Sequence, residues 1–310
     1  MKKSKPRNKT LDIARGLSIF LIVLSHTGVS WDFLFDFFYV QVFFFLSGIF
    51  LKSNNTFENS LYKKTRSLIY PYLFFGAICS VFVLLLRRTN ISDLHIYDPD
   101  SFDNGPLWFL IALYTLTLIT ICINQIKYIQ IRFGAIVVVF SFCYYLGIHG
   151  IDDYTDFTKA GISLPFLIFG NYYLRIENFF KKYKYIILFI ASLMCLVSVL
   201  IFHITIGIRW LKLPLNPFVY IFASCGGVLL VLSLSHIIVN YKYISNLLSY
   251  WGYYSLFILC MHWPLVRIMY DKILPECMKS DFVNLIFTSL TCCLFAYIGF
   301  LLKRFLKCVF

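Results

Sequence analysis

One apolar stretch carries an arginine and a histidine eleven residues apart. It reads LDIARGLSIFLIVLSHTG and contains Asp12, Arg15 and His26. At 3.6 residues per turn, eleven residues are almost three whole turns, so Arg15 and His26 share a helix face about 16 Å apart along the axis. Asp12 lies three residues before Arg15 and joins that face. A second histidine, His262, stands near the end of WGYYSLFILCMHWP, another apolar stretch. Imidazole gains and loses a proton near neutral pH, which suits a general base. A cation at one end of a helix and an imidazole toward the other could grip an anionic substrate at one membrane face and do proton chemistry deeper in. A third polar group is KKTRSLIYP, where Lys63, Lys64 and Arg66 precede Pro71. Such cations bind phosphates as point charges or in bidentate fashion. Each residue also has a structural reading. Arg15 could snorkel to lipid phosphates, His26 could tie two helices together, and the basic group could anchor a membrane edge.

The elements that must position these residues are membrane helices. The chain has 310 residues, 60% hydrophobic and 14% charged, against roughly 45–50% and about 25% in soluble domains. The apolar residues fall in ten blocks, at 12–29, 33–51, 68–86, 106–123, 132–149, 157–174, 185–204, 215–239, 250–270 and 282–302. Each is close to the roughly 20 residues needed to cross a hydrocarbon core as a helix. Backbone amides in lipid must be paired within the segment, which requires helices. The expected fold is therefore all-α, with about ten transmembrane helices.

Loop charges orient this bundle. With the N-terminus in the cytoplasm, the inside segments collect most of the lysine and arginine. They include the basic head at 1–10, Lys63, Lys64 and Arg66, the cluster Lys181, Lys182 and Lys184, and Lys303 and Arg304. Most acids fall outside. This follows the bias of Lys and Arg toward cytoplasmic loops and predicts both termini inside. The net charge of +13 then belongs to membrane edges facing anionic lipid, and nucleic-acid binding is not expected. The ten cysteines show no CxxC pair and no metal-ligand spacing, so no metal is expected. The long polar loops are expected at 52–67 inside and 87–105 outside. No small-x-small cleavage site follows the first apolar run, as a signal peptide would require. The chain reads as one membrane domain over 1–310, with no attached soluble domain.

Five segments carry a family resemblance. The basic residue, ten others, then His of the first block, met by Arg15 and His26, resembles the first helix of acyltransferase family 3. These are bacterial inner-membrane proteins that O-acylate cell-surface glycans. FFFLSGIFL with Ser47 and Gly48, Lys63-x-x-Arg66 before Pro71, GPLWFL, and the stretch 252–264 ending in His-x-Pro resemble the family's further motifs, in family order. Two positions depart from it. Lys63 stands where Arg is commoner, and Lys lacks Arg's planar fork; Ile49 follows Gly48 where an aromatic is usual.

The resemblance implies a multi-pass inner-membrane enzyme that moves acetyl, or a short relative, from cytoplasmic acetyl-CoA to a hydroxyl of an extracytoplasmic surface polysaccharide such as an O-antigen. Arg15, Lys63 and Arg66 would meet the CoA phosphates. His26 would serve as general base or carry the acyl group transiently. Asp12 would orient Arg15, and His262 would position the acceptor or share the proton. Ser47 and Gly48 would let the second helix approach the first. Asp36, Gln41 and Trp108 are candidates for a sugar site. The rival expectation is a transporter or flippase for a glycan or lipid-linked sugar, using the same polar cavity for passage.

Overall fold

The computed structural model describes residues 7–51, 57–87, 105–270 and 280–303, without the side chains of Phe57 and of 82–87. The described residues are helical, with no strand among them beyond an isolated bridge between Gly207 and Lys212. Eleven helices follow in order: α1 Lys9–Ser25, α2 Tyr39–Ile49, α3 Phe57–Lys64, α4 Tyr70–Arg87, α5 Trp108–Asn124, α6 Ile129–Ile148, α7 Phe157–Leu200, α8 Pro217–Ile238, α9 Lys242–Tyr253, α10 Ser255–Ile268 and α11 Asp281–Leu302. Among the described residues five helical stretches are long and apolar enough to cross a membrane: Gly105–Asn124, Ile129–Ile148, Phe157–Leu200, Pro217–Ile238 and Asp281–Leu302. α2 and α10 are shorter apolar helices. Large apolar side chains point outward along α6 and α7, such as Phe133 and Phe189. A water-facing surface avoids such exposure, but a lipid-facing one requires it.

α1 runs through the centre of the bundle, against α2, α8, α9, α10 and α11. Asn8 caps its start, accepting hydrogen bonds from the amides of Thr10 and Leu11 at 3.1 and 3.4 Å and so pairing amides that a helix start leaves free. The α1–α9 crossing is tight. A Cβ on Gly16 would fall 2.0 Å from the Leu248 carbonyl oxygen, and one on Gly252 would fall 1.8 Å from that of Asp12. Glycine lets the two backbones touch, as small residues do between membrane helices.

Several expected boundaries are corrected. The blocks at 157–174 and 185–204 stay distinct: α7 runs from Phe157 to Leu200, but its geometry breaks at Tyr183 (φ −106°, ψ 21°), where two helices meet across a kink. A straight helix of 44 residues would span about 66 Å, twice the hydrocarbon thickness. The kink beside Lys181, Lys182 and Lys184 therefore divides it where the charge is densest. The block at 250–270 is likewise two helices: α9 ends at Tyr253, the backbone departs from helix at Tyr254, and α10 begins at Ser255. α9 starts at Lys242, eight residues before the expected block. The block at 33–51 holds a 3-10 turn, Asp32–Leu34, and only the 11 residues of α2. α1 ends at Ser25, before the expected 29.

The polar segment at 52–67 is also helical where described. α3 passes through a π-helical turn, Thr65–Ile69, directly into α4. Pro71 sits at the second position of α4. It offers no N–H to the carbonyl four residues back, and its ring crowds that carbonyl. Widening to a π turn relieves the clash. Most of the expected outer loop at 87–105 lies outside the described residues.

Candidate active site

The end of α1 and the middle of α10 bring the two histidines together. His26 is the residue after α1, held by the hydrogen bond from its amide to the Val23 carbonyl. Its ring stacks on that of His262, with centroids 5.4 Å apart and planes 24° apart. Trp263 meets it edge-on at 4.9 Å. His262 is fully buried, and its Nδ1 donates to the Ile258 carbonyl at 2.9 Å. That bond leaves Nε2 as an acceptor, and this atom has no hydrogen-bond partner among the described residues. No described hydrogen bond engages the ring nitrogens of His26 either. The pair is therefore stacked rather than linked in a proton relay. Pro264, two residues on, leaves the Cys260 carbonyl without its usual helical donor, and Cys79 Sγ of α4 lies 3.9 Å from that oxygen.

His26 opens onto a cavity of about 190 Å³. Asp36, Gln41 and Trp108 line it too, so three residues named from the sequence as a candidate sugar site share one wall with the candidate base. They arrive from separate elements: Asp36 from the turn before α2, Gln41 from α2, and Trp108 from the first turn of α5. One carboxylate oxygen of Asp36 and both amide atoms of Gln41 are buried without a hydrogen bond of normal geometry among the described residues, although the Tyr220 hydroxyl interacts with the Gln41 side chain. Buried polar atoms left open in this way cost free energy, and several of them around one cavity mark a place for a polar ligand.

Trp108 is held from behind. The Lys159 ammonium lies 5.4 Å from the ring centroid, within reach of a cation–π attraction. It is itself fixed by Asp152 and Asp156, each at 2.6 Å. Asp156, fully buried, adopts a left-handed backbone (φ 51°) immediately before α7.

Arg209 also lines the cavity, and no motif in the sequence singles it out. It lies in the 3-10 turn Ile208–Trp210. Its guanidinium stands 4.6 Å from the Trp210 ring and 6.0 Å from Trp263, and packs where a Cβ on Gly105 would be. The string GIRW offered one signal, an arginine beside a tryptophan between two apolar blocks, but nothing in it indicated approach to His26.

The basic residues are less gathered than the spacing suggested. Asp12 is buried and bonds Arg7 Nε at 2.6 Å, with Arg15 farther off at 3.5 Å. Arg15 lies over the Phe50 ring at 4.4 Å. Lys63 ends α3 one residue short of its terminus, Arg66 lies in the π turn, and both are exposed. No described contact joins either to Arg15. Thr65, between them, hydrogen-bonds the Tyr114 hydroxyl of α5 at 3.0 Å. Gly48 corrects a further expectation: a Cβ there would fall 2.0 Å from the Leu167 carbonyl oxygen, so α2 makes its closest approach to α7 and not to α1. Ser47 is half-buried beside it.

A helical membrane protein with a polar cavity bordered by one of two stacked histidines is the class these features define. The profile of an acyltransferase domain matches residues 8–304. The chain belongs to acyltransferase family 3, and it is in general terms a membrane acyltransferase. No curated protein and no solved structure matches it.

Proposed function

We propose that the protein transfers an acetyl or other short acyl group from acetyl-CoA to a hydroxyl of an extracytoplasmic surface-polysaccharide sugar, with His26 as general base. The observation that carries this reading is the position of His26: its ring nitrogens face no described hydrogen-bond partner, and it borders a cavity whose wall holds open polar atoms of Asp36 and Gln41. An acceptor hydroxyl hydrogen-bonded to His26 would lose its proton to the imidazole as its oxygen attacks the thioester carbonyl. The carbon–sulfur bond then breaks, the imidazolium returns the proton to the CoA thiolate, and the products are an O-acyl sugar and free CoA.

The other residues fall into supporting roles. His262, stacked on His26, fixes the base's ring and offers Nε2 to the acceptor. Arg209 faces the carbonyl oxygen as negative charge develops there, the task of an oxyanion site. Trp108 and Trp263 give the sugar flat apolar faces, and Asp36 and Gln41 take its hydroxyls. Arg15, Lys63 and Arg66 serve the CoA phosphates, with Asp12 restraining Arg15. In this arrangement about ten spans cross a bacterial inner membrane with both termini on its cytoplasmic side and the histidines toward the outer half.

The test is transfer of radiolabelled acetyl from acetyl-CoA into surface glycan by membranes holding wild-type protein or His26→Ala at equal expression. Label present with wild type and lost with the variant supports the assignment. Full labelling with His26→Ala and none with His262→Ala would reverse the roles of the two histidines.

A further inference from the structure

A second concave site lies away from the histidines, where the start of α1, the length of α9 and the end of α11 meet. It is an open groove of about 540 Å³ whose wall includes Arg7, Lys9, Asp12, Tyr253 and Phe300. The Tyr253 ring is approached by two cations from opposite ends of the chain. The Arg7 guanidinium lies 4.0 Å from the ring centroid and the Lys303 ammonium 4.5 Å. Lys303 also donates to the Tyr253 hydroxyl.

The charge here does not balance. One carboxylate, Asp12, is shared between Arg7 and Arg15, while Lys303 lies on Tyr253 with no described ion pair. Lys9 is hydrogen-bonded to the neutral Asn246 at 2.7 Å. Glu177, hydrogen-bonded to the side chain of Asn8 next to Arg7, accepts from that amide at 2.7 Å. The sequence on either side adds only cations, with Lys2, Lys3 and Lys5 before Arg7 and Arg304 and Lys307 after Lys303. Basic residues that merely set topology can spread into water and lower their mutual repulsion. Arg7 and Lys303 instead converge on one aromatic ring, at a repulsive cost that an anion between them would remove.

We infer that this groove binds a phosphate ester, with Arg7 and Lys303 as its charge-assisted donors and Tyr253 as the platform that holds both. Phe300, on the apolar side of the groove, can meet a hydrocarbon or ring attached to that phosphate. Two sources share this chemistry: an anionic phospholipid headgroup at the membrane surface, and the phosphate of a soluble nucleotide. The inference stands on the groove's own geometry and does not depend on the transfer reaction.

The experiment is thermal unfolding of the purified full-length chain in neutral detergent, titrated separately with phosphatidylglycerol and with adenosine 3′,5′-bisphosphate. Phosphatidylcholine is the control. One of the two phosphates is expected to raise the melting temperature. In Arg7→Gln/Lys303→Gln the apparent affinity should fall by roughly 25-fold, about five-fold for each cation removed. Arg7→Lys/Lys303→Arg, which keeps both charges, should retain most of the response. A response to phosphatidylglycerol alone assigns the site to lipid, and one to the bisphosphate assigns it to a soluble phosphate. If the glutamine double variant fails to fold, the wild-type response must weaken steeply as NaCl rises, and each single variant must weaken it. No response to either probe, or an equal response in wild type and the glutamine variants, overturns the inference.

Discussion

Substituting alanine at the α1–α9 crossing should show how tightly the two helices are held. In Gly16→Ala the new Cβ would sit 2.0 Å from the Leu248 carbonyl oxygen, and in Gly252→Ala it would sit 1.8 Å from that of Asp12. Ordinary contact begins at 3.4 Å, so either methyl must drive the backbones apart by about 1.5 Å. Neither obstacle is a side chain that can rotate away. Each single substitution should cost about 1–3 kcal/mol, the usual range for overpacking. The double variant should cost little more than the worse single one, because the separation that accommodates one methyl also accommodates the other. Equilibrium unfolding in mixed dodecylmaltoside–SDS micelles measures all three. Because α9 leads within two residues into α10, parting it from α1 should also shift His262 relative to His26 and slow acyl transfer. Additive costs, or single costs below about 0.5 kcal/mol, would refute the idea that backbone contact sets this crossing.

Other outcomes follow from the cavity. His26→Ala should lower the acyl-transfer rate by about 10²–10⁴-fold, the usual loss of a general base, with unchanged expression. His262→Phe keeps an aromatic ring against His26 but removes Nε2; transfer should fall while the folded yield in detergent holds, and full activity would show that Nε2 touches no substrate. Arg209→Gln should reduce kcat by about 10²–10³-fold if the guanidinium faces the developing oxyanion; a change confined to the acceptor KM would place it on the sugar instead. Lys159→Met leaves Asp152 and Asp156 without their shared cation and should cost about 3–5 kcal/mol of stability, read as a lowered melting temperature. Its surviving fraction should show a raised acceptor KM through loss of support behind Trp108.

What the sequence made legible is what depends on period and depth. The pairing of His26 with His262 could be anticipated because each lies at a countable distance along an apolar run, and helix geometry converts that count into depth. Asp36, Gln41 and Trp108, named from the sequence only as candidates for a sugar site, line one cavity. Boundaries inside apolar stretches were not legible. Hydropathy is continuous through Tyr254, where the backbone leaves the helix, whereas the charge cluster of Lys181, Lys182 and Lys184 did mark the kink at Tyr183 that divides α7.

Arg209 and Gly48 show a different limit. A glycine in an apolar helix announces a close approach but not its partner, and Gly48 meets α7 because of where α7 runs, which local sequence does not encode. Arg209 reaches the cavity through a three-residue turn whose own pattern carries no depth at all. The consequence for the chemistry is specific. A helix-borne pair such as Arg15 and His26 is separated by the rise of its helix, so that arginine cannot assist that histidine at the reacting carbon. A cation needed there must come from another element, and among the described residues lining the cavity Arg209 is the one that supplies it. A variant carrying Arg209→Lys therefore separates two demands. Lysine keeps the charge but loses the planar fork; substantial activity would mean that charge alone suffices, and loss comparable to Arg209→Gln would mean that the directed N–H bonds of the guanidinium are required.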